Sequence, residues 1–92
     1  MSIAASEHKA RVAQLPCVIC LALGRPQQGR VSLHHIREGQ GMSQRSSDFL
    51  VIPLCWDCHQ GPNGLHGNRA YMKITKKSEL DLLADTIRLL EI

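Results

Sequence analysis

Residues 55–59 read Cys-Trp-Asp-Cys-His, and they carry the clearest chemistry in the chain. Two cysteines separated by two residues form a knuckle, because the intervening turn directs both thiolates toward one point. A second knuckle, Cys-Val-Ile-Cys, lies at residues 17–20. Disulfide frameworks seldom use this spacing, so we predict one closed structural zinc site rather than four reduced cysteines without a metal. Its ligands, called the four-cysteine cluster below, are Cys17, Cys20, Cys55 and Cys58.

The chain has 92 residues and only one each of Trp, Tyr and Phe, which predicts a single domain, residues 1–92, with a mostly aliphatic core. A domain this small buries little apolar surface, and a bound metal often supplies the missing stability. Residues 1–11 have no apolar signal-peptide run, and no stretch reaches the length of a membrane span. These features predict a reducing, cytoplasmic location without a membrane partner. The net charge of +3 permits a nucleic-acid partner without requiring one.

Four of the five histidines lie close to the knuckles, namely His34, His35, His59 and His66. The alternating residues 30–36 predict a strand, and neighbouring residues of a strand point to opposite faces. One of the paired histidines can therefore face a metal ion while the other, acting as a general base, faces a substrate. The alternatives are ordinary strand histidines for this pair, a supporting or capping role at the zinc site for His59, and a surface position for His66.

The elements that position these side chains follow from caps and breaks. Ser6 is the predicted N-cap of a short helix within residues 1–15, and Pro16 ends that segment. Residues 49–54 predict a second strand leading into the second knuckle. Pro53 cannot donate a backbone hydrogen bond, so it should lie on an unpaired edge or at the end of this strand.

After a glycine-rich break, residues 65–74 predict a helix, and Ser78 caps a last helix within residues 78–91. Asp81 stands at the third helical position and completes a short capping box. The apolar residues of the last helix predict a broad face for the core or for a partner. They are Leu80, Leu82, Leu83, Ala84, Ile87, Leu89 and Leu90.

The order of these motifs resembles the HNH endonucleases, and more narrowly the phage and prophage group that includes the recombination-enhancement-function nuclease. After the first knuckle come His-His-Ile at residues 34–36, the apolar strand, Ile-Pro-Leu-Cys-x-x-Cys-His at 52–59 and Gly-Leu-His-Gly at 64–67. The resemblance implies a small α+β domain, a zinc-stapled ββα-metal fold of treble-clef-like type, whose knuckles and core occupy residues 17–74. In that fold, two strands and a helix clasp a catalytic divalent ion.

The resemblance also implies roles for the site residues. His35 is the expected general base, and the expected ligands of the catalytic Mg²⁺, Mn²⁺ or Zn²⁺ are His34, His59 and His66. The reaction would be hydrolysis of DNA phosphodiester bonds with weak sequence preference, and recombination proteins are candidate partners. Four arginines could contact phosphates or could be solvated surface charges: Arg30, Arg37, Arg45 and Arg69.

The chain departs from the family at one position. Many HNH proteins have an asparagine at the head of the second strand, where it braces the loop that carries the base. This chain has Asp48 in that region, so Asp48 or a backbone group is the candidate for the bracing role. The alternative functions are a non-catalytic zinc finger that binds DNA and a protein-interaction module. The first needs no histidine cluster, and the second predicts an exposed apolar patch on the last helix.

Overall fold

A computed structural model of the chain describes residues 2–27, 29–37, 47–59 and 76–91. Its helices are α1 (Ile3–Val12), α2 (Val18–Leu23), α3 (Trp56–His59) and α4 (Glu79–Leu90), and its strands are β1 (Val31–His35) and β2 (Val51–Cys55). The strands form a two-stranded antiparallel sheet, so the described residues have a small α+β architecture. The helix predicted over residues 65–74 lies outside the described residues. Within the described ranges, none of the helices has the length and apolar character needed to cross a membrane.

Helix α1 begins earlier than the sequence analysis predicted. Its N-cap is Ser2, whose side chain accepts a hydrogen bond from the backbone N–H of Ala5 at 3.0 Å. Ser6 lies inside the helix and donates its own N–H to the carbonyl of Ser2 at 3.1 Å. The prediction of Ser6 as the N-cap is therefore wrong. Residues 3–5, Ile-Ala-Ala, explain the difference, because alanine has the strongest helix propensity and extends the helix back to the earlier serine.

The sheet pairs β1 with β2 so that His34 lies opposite Ile52, and Leu33 lies opposite Pro53. The N–H of Ile36 donates to the carbonyl of Leu50 at 3.0 Å. Hydrogen-bonded and non-hydrogen-bonded pairs alternate along an antiparallel ladder, so the Leu33–Pro53 pair falls at a non-hydrogen-bonded position. Pro53 thus occupies the middle of β2 rather than its end, and its nitrogen faces away from β1, as the lack of an N–H requires.

Helix α4 confirms its predicted cap but turns a different face toward the core. The Ser78 side chain accepts from the N–H of Asp81, and the Asp81 carboxylate accepts from the N–H of Ser78, which completes the capping box. Leu82 and Leu83 are buried, as expected. Leu80 and Ile87, however, are 51% and 47% exposed, so they do not join the core, and the partner face that the sequence also allows for them stays a prediction.

Two polar residues take the place of the exposed leucine and isoleucine on the buried face of α4. Glu79 and Thr86 are both buried. The Thr86 hydroxyl donates to the carbonyl of Leu82 at 2.9 Å, and Glu79 pairs with a histidine of β1. Because both polar groups have hydrogen-bond partners, their burial is tolerated, and the helix can turn Leu80 and Ile87 outward.

The hydrophobic core lies where α2, both strands and α4 meet. The four cysteines belong to the same cluster of buried residues as Ile19, Ile36, Ile52, Leu54 and Leu82. Every residue of β2 is buried, from Val51 to Cys55. The core therefore encloses the knuckles, and β2 runs through it directly into the second one.

Candidate metal centre and histidine site

The four cysteine side chains converge on one point. Their sulfur atoms all lie within 4.8 Å of one another, and all four residues are buried, free cysteines. The Sγ atom of Cys20 is 3.6 Å from that of Cys55 and 3.7 Å from that of Cys58. Four thiolates about 2.3 Å from one zinc ion lie about 3.8 Å apart at the corners of a tetrahedron. The cluster could therefore hold a zinc ion, and within the described ranges it is the one group of three or more potential ligands at such spacing.

Local structure explains how each knuckle aims its sulfurs. Cys17 is the N-cap of α2, and its Sγ accepts a hydrogen bond from the N–H of Cys20 at 3.5 Å. Gly24 ends α2 in a left-handed conformation with φ of 69°, which glycine adopts without steric cost and which turns the chain back. Cys55 is the last residue of β2, and the short helix α3 brings Cys58 round to it.

The thiols of the cluster differ in how readily they lose their protons. Hydrogen bonding from the Cys58 thiol is the main cause that lowers the pKa of Cys17 to about 5. The same hydrogen bond, followed by burial, raises the pKa of Cys58. Burial is also the main cause that raises the pKa of Cys20. Without a metal, the cluster therefore concentrates negative charge on Cys17 and keeps protons on Cys20 and Cys58 at neutral pH.

The loop after α2 braces the cluster. The Arg25 guanidinium donates through Nη2 to the Sγ atom of Cys58 at 3.0 Å and lies 3.6 Å from a carboxylate oxygen of Asp57. The side chain of Gln27 accepts from the N–H of Cys17 at 2.7 Å through its Oε1 atom. A cationic donor next to a thiolate stabilises its charge, so Arg25 supports the metal-binding form of Cys58.

A second polar group is buried beside the cluster, and it is built around His34. This histidine is only 4% exposed, and its Nε2–H donates to the Oε2 atom of Glu79 at 2.6 Å. The other carboxylate oxygen, Oε1, accepts from the backbone N–H of Arg37 at 3.0 Å. Glu79 thereby ties the first turn of α4 to β1 and to the residues that follow it.

His59 lies beside His34, with the two ring centroids 5.1 Å apart and the rings nearly perpendicular. It is buried, and its Nδ1 atom is 2.7 Å from the hydroxyl of Ser32. Because His59 directly follows Cys58, the second knuckle sets the place of this imidazole. We call His34, His59, Glu79 and Ser32 together the histidine site. The third predicted ligand of the catalytic ion, His66, lies outside the described residues.

His35 points away from the histidine site. Its side chain is 41% exposed, and its Nε2–H donates to the Oδ1 atom of Asp48 at 2.9 Å. The Nζ atom of Lys9 is 3.8 Å from the same carboxylate oxygen. Adjacent positions on β1 thus give one buried and one accessible imidazole, which is the divergence that the sequence analysis expects of residues on opposite faces.

The arginines predicted to contact phosphates are placed in part. Arg30 and Arg37 are exposed and flank β1, one before it and one after it. Arg45 and Arg69 lie outside the described residues. Contact of these arginines with phosphates stays a prediction.

Sequence reasoning missed Glu79, Ser32 and Arg25. Glu79 opens a helix, where an acidic residue is expected simply because the positive end of the helix dipole favours it. Ser32 and Arg25 stand at ordinary strand and loop positions. Alternation along β1 is the one sequence signal that could have indicated Ser32, because residues 32 and 34 share a face of the strand.

Comparison of the chain with protein-family models, with curated proteins and with solved structures found no match. Membership of the HNH endonucleases therefore stays a prediction from the knuckle and histidine motifs of the sequence.

Proposed function

We propose that this protein is a metal-dependent HNH endonuclease that hydrolyses DNA phosphodiester bonds with little sequence preference. The observation that carries the proposal is the divergence of the paired histidines. His34 is buried against a second imidazole, while its neighbour His35 is partly exposed and bonded to a carboxylate. A hydrolase of this kind needs one imidazole for a metal ion and another for a proton, within reach of the same phosphate.

The four-cysteine cluster fits a structural zinc ion. The sulfur separations of 3.6 and 3.7 Å agree with the edge of a tetrahedral zinc–thiolate site, about 3.8 Å. All four ligand positions are filled by buried thiols, which leaves no position for a substrate. We assign this zinc a purely structural role, in which its binding energy stabilises the fold.

The histidine site fits the catalytic ion. Two imidazoles that bind one ion at about 2.1 Å have ring centroids roughly 5 Å apart, and the rings of His34 and His59 are 5.1 Å apart. We propose these two as ligands and keep His66 as the third. Imidazole ligands favour softer ions such as Zn²⁺, and Mg²⁺, Mn²⁺ and Zn²⁺ are all candidates for the phosphoryl chemistry. When bound, the ion supplies positive charge to the phosphoryl oxygens and to the leaving oxygen.

The proposed general base is His35. The carboxylate of Asp48 accepts from Nε2–H, so it holds the tautomer in which Nδ1 is the basic nitrogen. Nδ1 takes a proton from water as the oxygen attacks phosphorus, the P–O3′ bond breaks in line with the attack, and solvent protonates the leaving 3′ oxygen. Asp48 then stabilises the imidazolium that forms, and so fills the bracing role for which many HNH proteins use asparagine. The exposure of His35 gives it access to both water and a large substrate.

One observation favours a second candidate function, a protein-interaction module. Leu80 and Ile87 lie seven residues apart on α4 and are about half exposed, at 51% and 47%. Residues at this spacing lie on one face of a helix, so they could form an apolar patch for a partner. This function needs the zinc-stapled fold but makes no use of the His35–Asp48 pair.

Nicking of supercoiled plasmid by the zinc-loaded protein tests the proposal. With added Mn²⁺ or Mg²⁺, the wild type should convert supercoiled to open-circular DNA, and His35→Ala should lower the rate about 100- to 10,000-fold. His8→Ala is the matched control, because His8 lies on α1 and packs against Phe49 without a place in the proposed chemistry. It should nick within a few-fold of the wild-type rate. A folded, zinc-loaded wild type that never nicks DNA would leave the interaction module as the better account.

A further inference from the structure

We infer that Glu79 and Ser32 are positioning residues that orient His34 and His59 toward the divalent ion. The inference rests on the proposed function, because it assigns supporting roles around the same ion. Neither residue would touch the substrate or the ion. Each would act by holding one nitrogen of an imidazole, so that the opposite nitrogen of that ring is the one that ligates.

Glu79 is unusual among the described residues because its carboxylate is almost completely buried, with 2% exposure. A buried carboxylate is costly unless it is well paired, and both of its oxygens have partners in Nε2–H of His34 and the N–H of Arg37. Buried ion pairs are weak stabilisers, since apolar residues of the same size usually do as well. A carboxylate that fixes the orientation and tautomer of a metal-binding histidine has a specific use, and such partners raise the basicity of the ligating nitrogen.

Ser32 holds His59 through a different kind of contact. Its hydroxyl lies 2.7 Å from Nδ1 of His59 and 3.4 Å from the carbonyl oxygen of Leu54. If Nδ1–H donates to the hydroxyl, the hydroxyl can donate onward to that carbonyl, and each group is used once. This chain of donors selects the tautomer in which Nε2 of His59 is the basic nitrogen.

The two sets of contacts together define one ligand arrangement. With Nε2 of His34 held by Glu79 and Nδ1 of His59 held by Ser32, the ligating atoms are Nδ1 of His34 and Nε2 of His59. The centroid separation of 5.1 Å and the interplanar angle of 86° are compatible with two imidazoles on one ion. Glu79 comes from α4 and Ser32 from β1, so the ligand orientation depends on how these two elements pack.

Binding of Mn²⁺ to the zinc-loaded protein tests this inference without relying on activity, and the electron paramagnetic resonance signal of the free ion measures that binding. Removing such a partner typically weakens metal binding about 10- to 100-fold, so we expect Glu79→Gln and Ser32→Ala each to lower Mn²⁺ affinity in that range. The zinc content should remain one ion per chain. Leu83→Ala is the control, because it removes a buried α4 side chain and lowers stability without removing either hydrogen bond. It should leave Mn²⁺ affinity unchanged.

Three outcomes would overturn the inference. Wild-type affinity in both Glu79→Gln and Ser32→Ala would show that the contacts do not position the ligands. An equal loss in Leu83→Ala would show that the effect is general destabilisation. Complete loss of Mn²⁺ binding in Glu79→Gln alone would make Glu79 a direct ligand. If the wild type binds no Mn²⁺, the proposed catalytic ion site is itself wrong. That result differs from one in which the wild type binds Mn²⁺ and both variants bind it equally well. Ser32→Ala keeps the test decisive if Glu79→Gln does not fold.

Discussion

The four-cysteine cluster and the histidine site are neighbours joined by the Cys58–His59 peptide bond, yet they are organised in opposite ways. In the cluster, the ligands meet one another directly, and their sulfurs all lie within 4.8 Å. In the histidine site, His34 and His59 are each held by a partner from another part of the fold, at 2.6 and 2.7 Å. A closed structural site can thus be specified by ligand spacing alone, whereas the proposed catalytic site also depends on distant groups that orient its imidazoles.

The largest expected effect comes from breaking the closed site. Cys55→Ser removes a fully buried ligand at the end of β2. Structural zinc in small domains contributes about 10–16 kcal/mol of apparent binding energy, as much as the whole stability of an ordinary domain. We therefore expect loss of the cooperative thermal transition and of bound zinc, measured by circular dichroism and elemental analysis. A variant that folds cooperatively without zinc, or a folded wild type purified without zinc, would contradict the assignment.

Zinc binding should also depend strongly on pH. Metal-free Cys20 and Cys58 have raised pKa values and hold protons at neutral pH, while the pKa of Cys17 is lowered to about 5, so this residue is already a thiolate. Zinc must displace those protons, so binding at pH 7 should release at least the two from Cys20 and Cys58, and affinity should fall as the pH decreases. Calorimetry in buffers of different ionisation enthalpy measures the release. Zinc binding without net proton release would show that the charge distribution in the cluster is wrong.

A smaller effect should separate the two sites. Arg25→Ala removes the donor to Cys58 and leaves every contact of the histidine site in place. Hydrogen bonds to charged groups contribute about 1.5–3 kcal/mol, and partial exposure reduces this value, so zinc affinity should weaken roughly tenfold. Competition with a chelator gives the zinc affinity, and Mn²⁺ binding provides the control. Equal weakening of zinc binding and Mn²⁺ binding would mean that the two sites are energetically coupled through His59.

The smallest effect concerns the surface beside His35. Arg37 is exposed, and its side chain is a candidate phosphate contact. Each phosphate contact contributes about −0.9 to the slope of log affinity against log salt. Loss of one contact in Arg37→Ala should therefore make the slope less steep by about one. Fluorescence anisotropy with labelled duplexes of several sequences gives the slope and should show little sequence preference. A slope unchanged from the wild type would make Arg37 a solvated charge.

The sequence predicts the cluster better than the histidine site, and the reason is the range of the interactions. The x-x spacing of the cysteines and the capping box of Ser78 with Asp81 are local patterns. The first is confirmed as a cysteine cluster that could hold a zinc ion, and the second as the start of α4. Glu79 and His34 lie 45 residues apart, and no local sequence pattern predicts their contact. Their pairing appears only when α4 packs on the sheet.

The buried side of α4 was not predictable from helical spacing for the same reason. The apolar residues of the helix predict a face for the core or for a partner, and the spacing alone does not say that Leu80 and Ile87 stay exposed. The actual packing buries Glu79 instead, because the histidine on β1 provides a partner for its carboxylate. The error at Ser6 is different in kind, since two serines compete for one cap and the helix propensity of the intervening alanines decides between them.

The rate of plasmid nicking against Mn²⁺ concentration, for wild type, His35→Ala and His34→Ala, tests the central claim most directly. If His35 is the base, its variant should keep its zinc and lose about 100- to 10,000-fold in rate at every Mn²⁺ concentration. If His34 is a ligand, its variant should also keep its zinc, but additional Mn²⁺ should partly restore its rate. Near-wild-type nicking by His35→Ala, or metal rescue of His35→Ala but not of His34→Ala, would contradict the assignment of the two histidines.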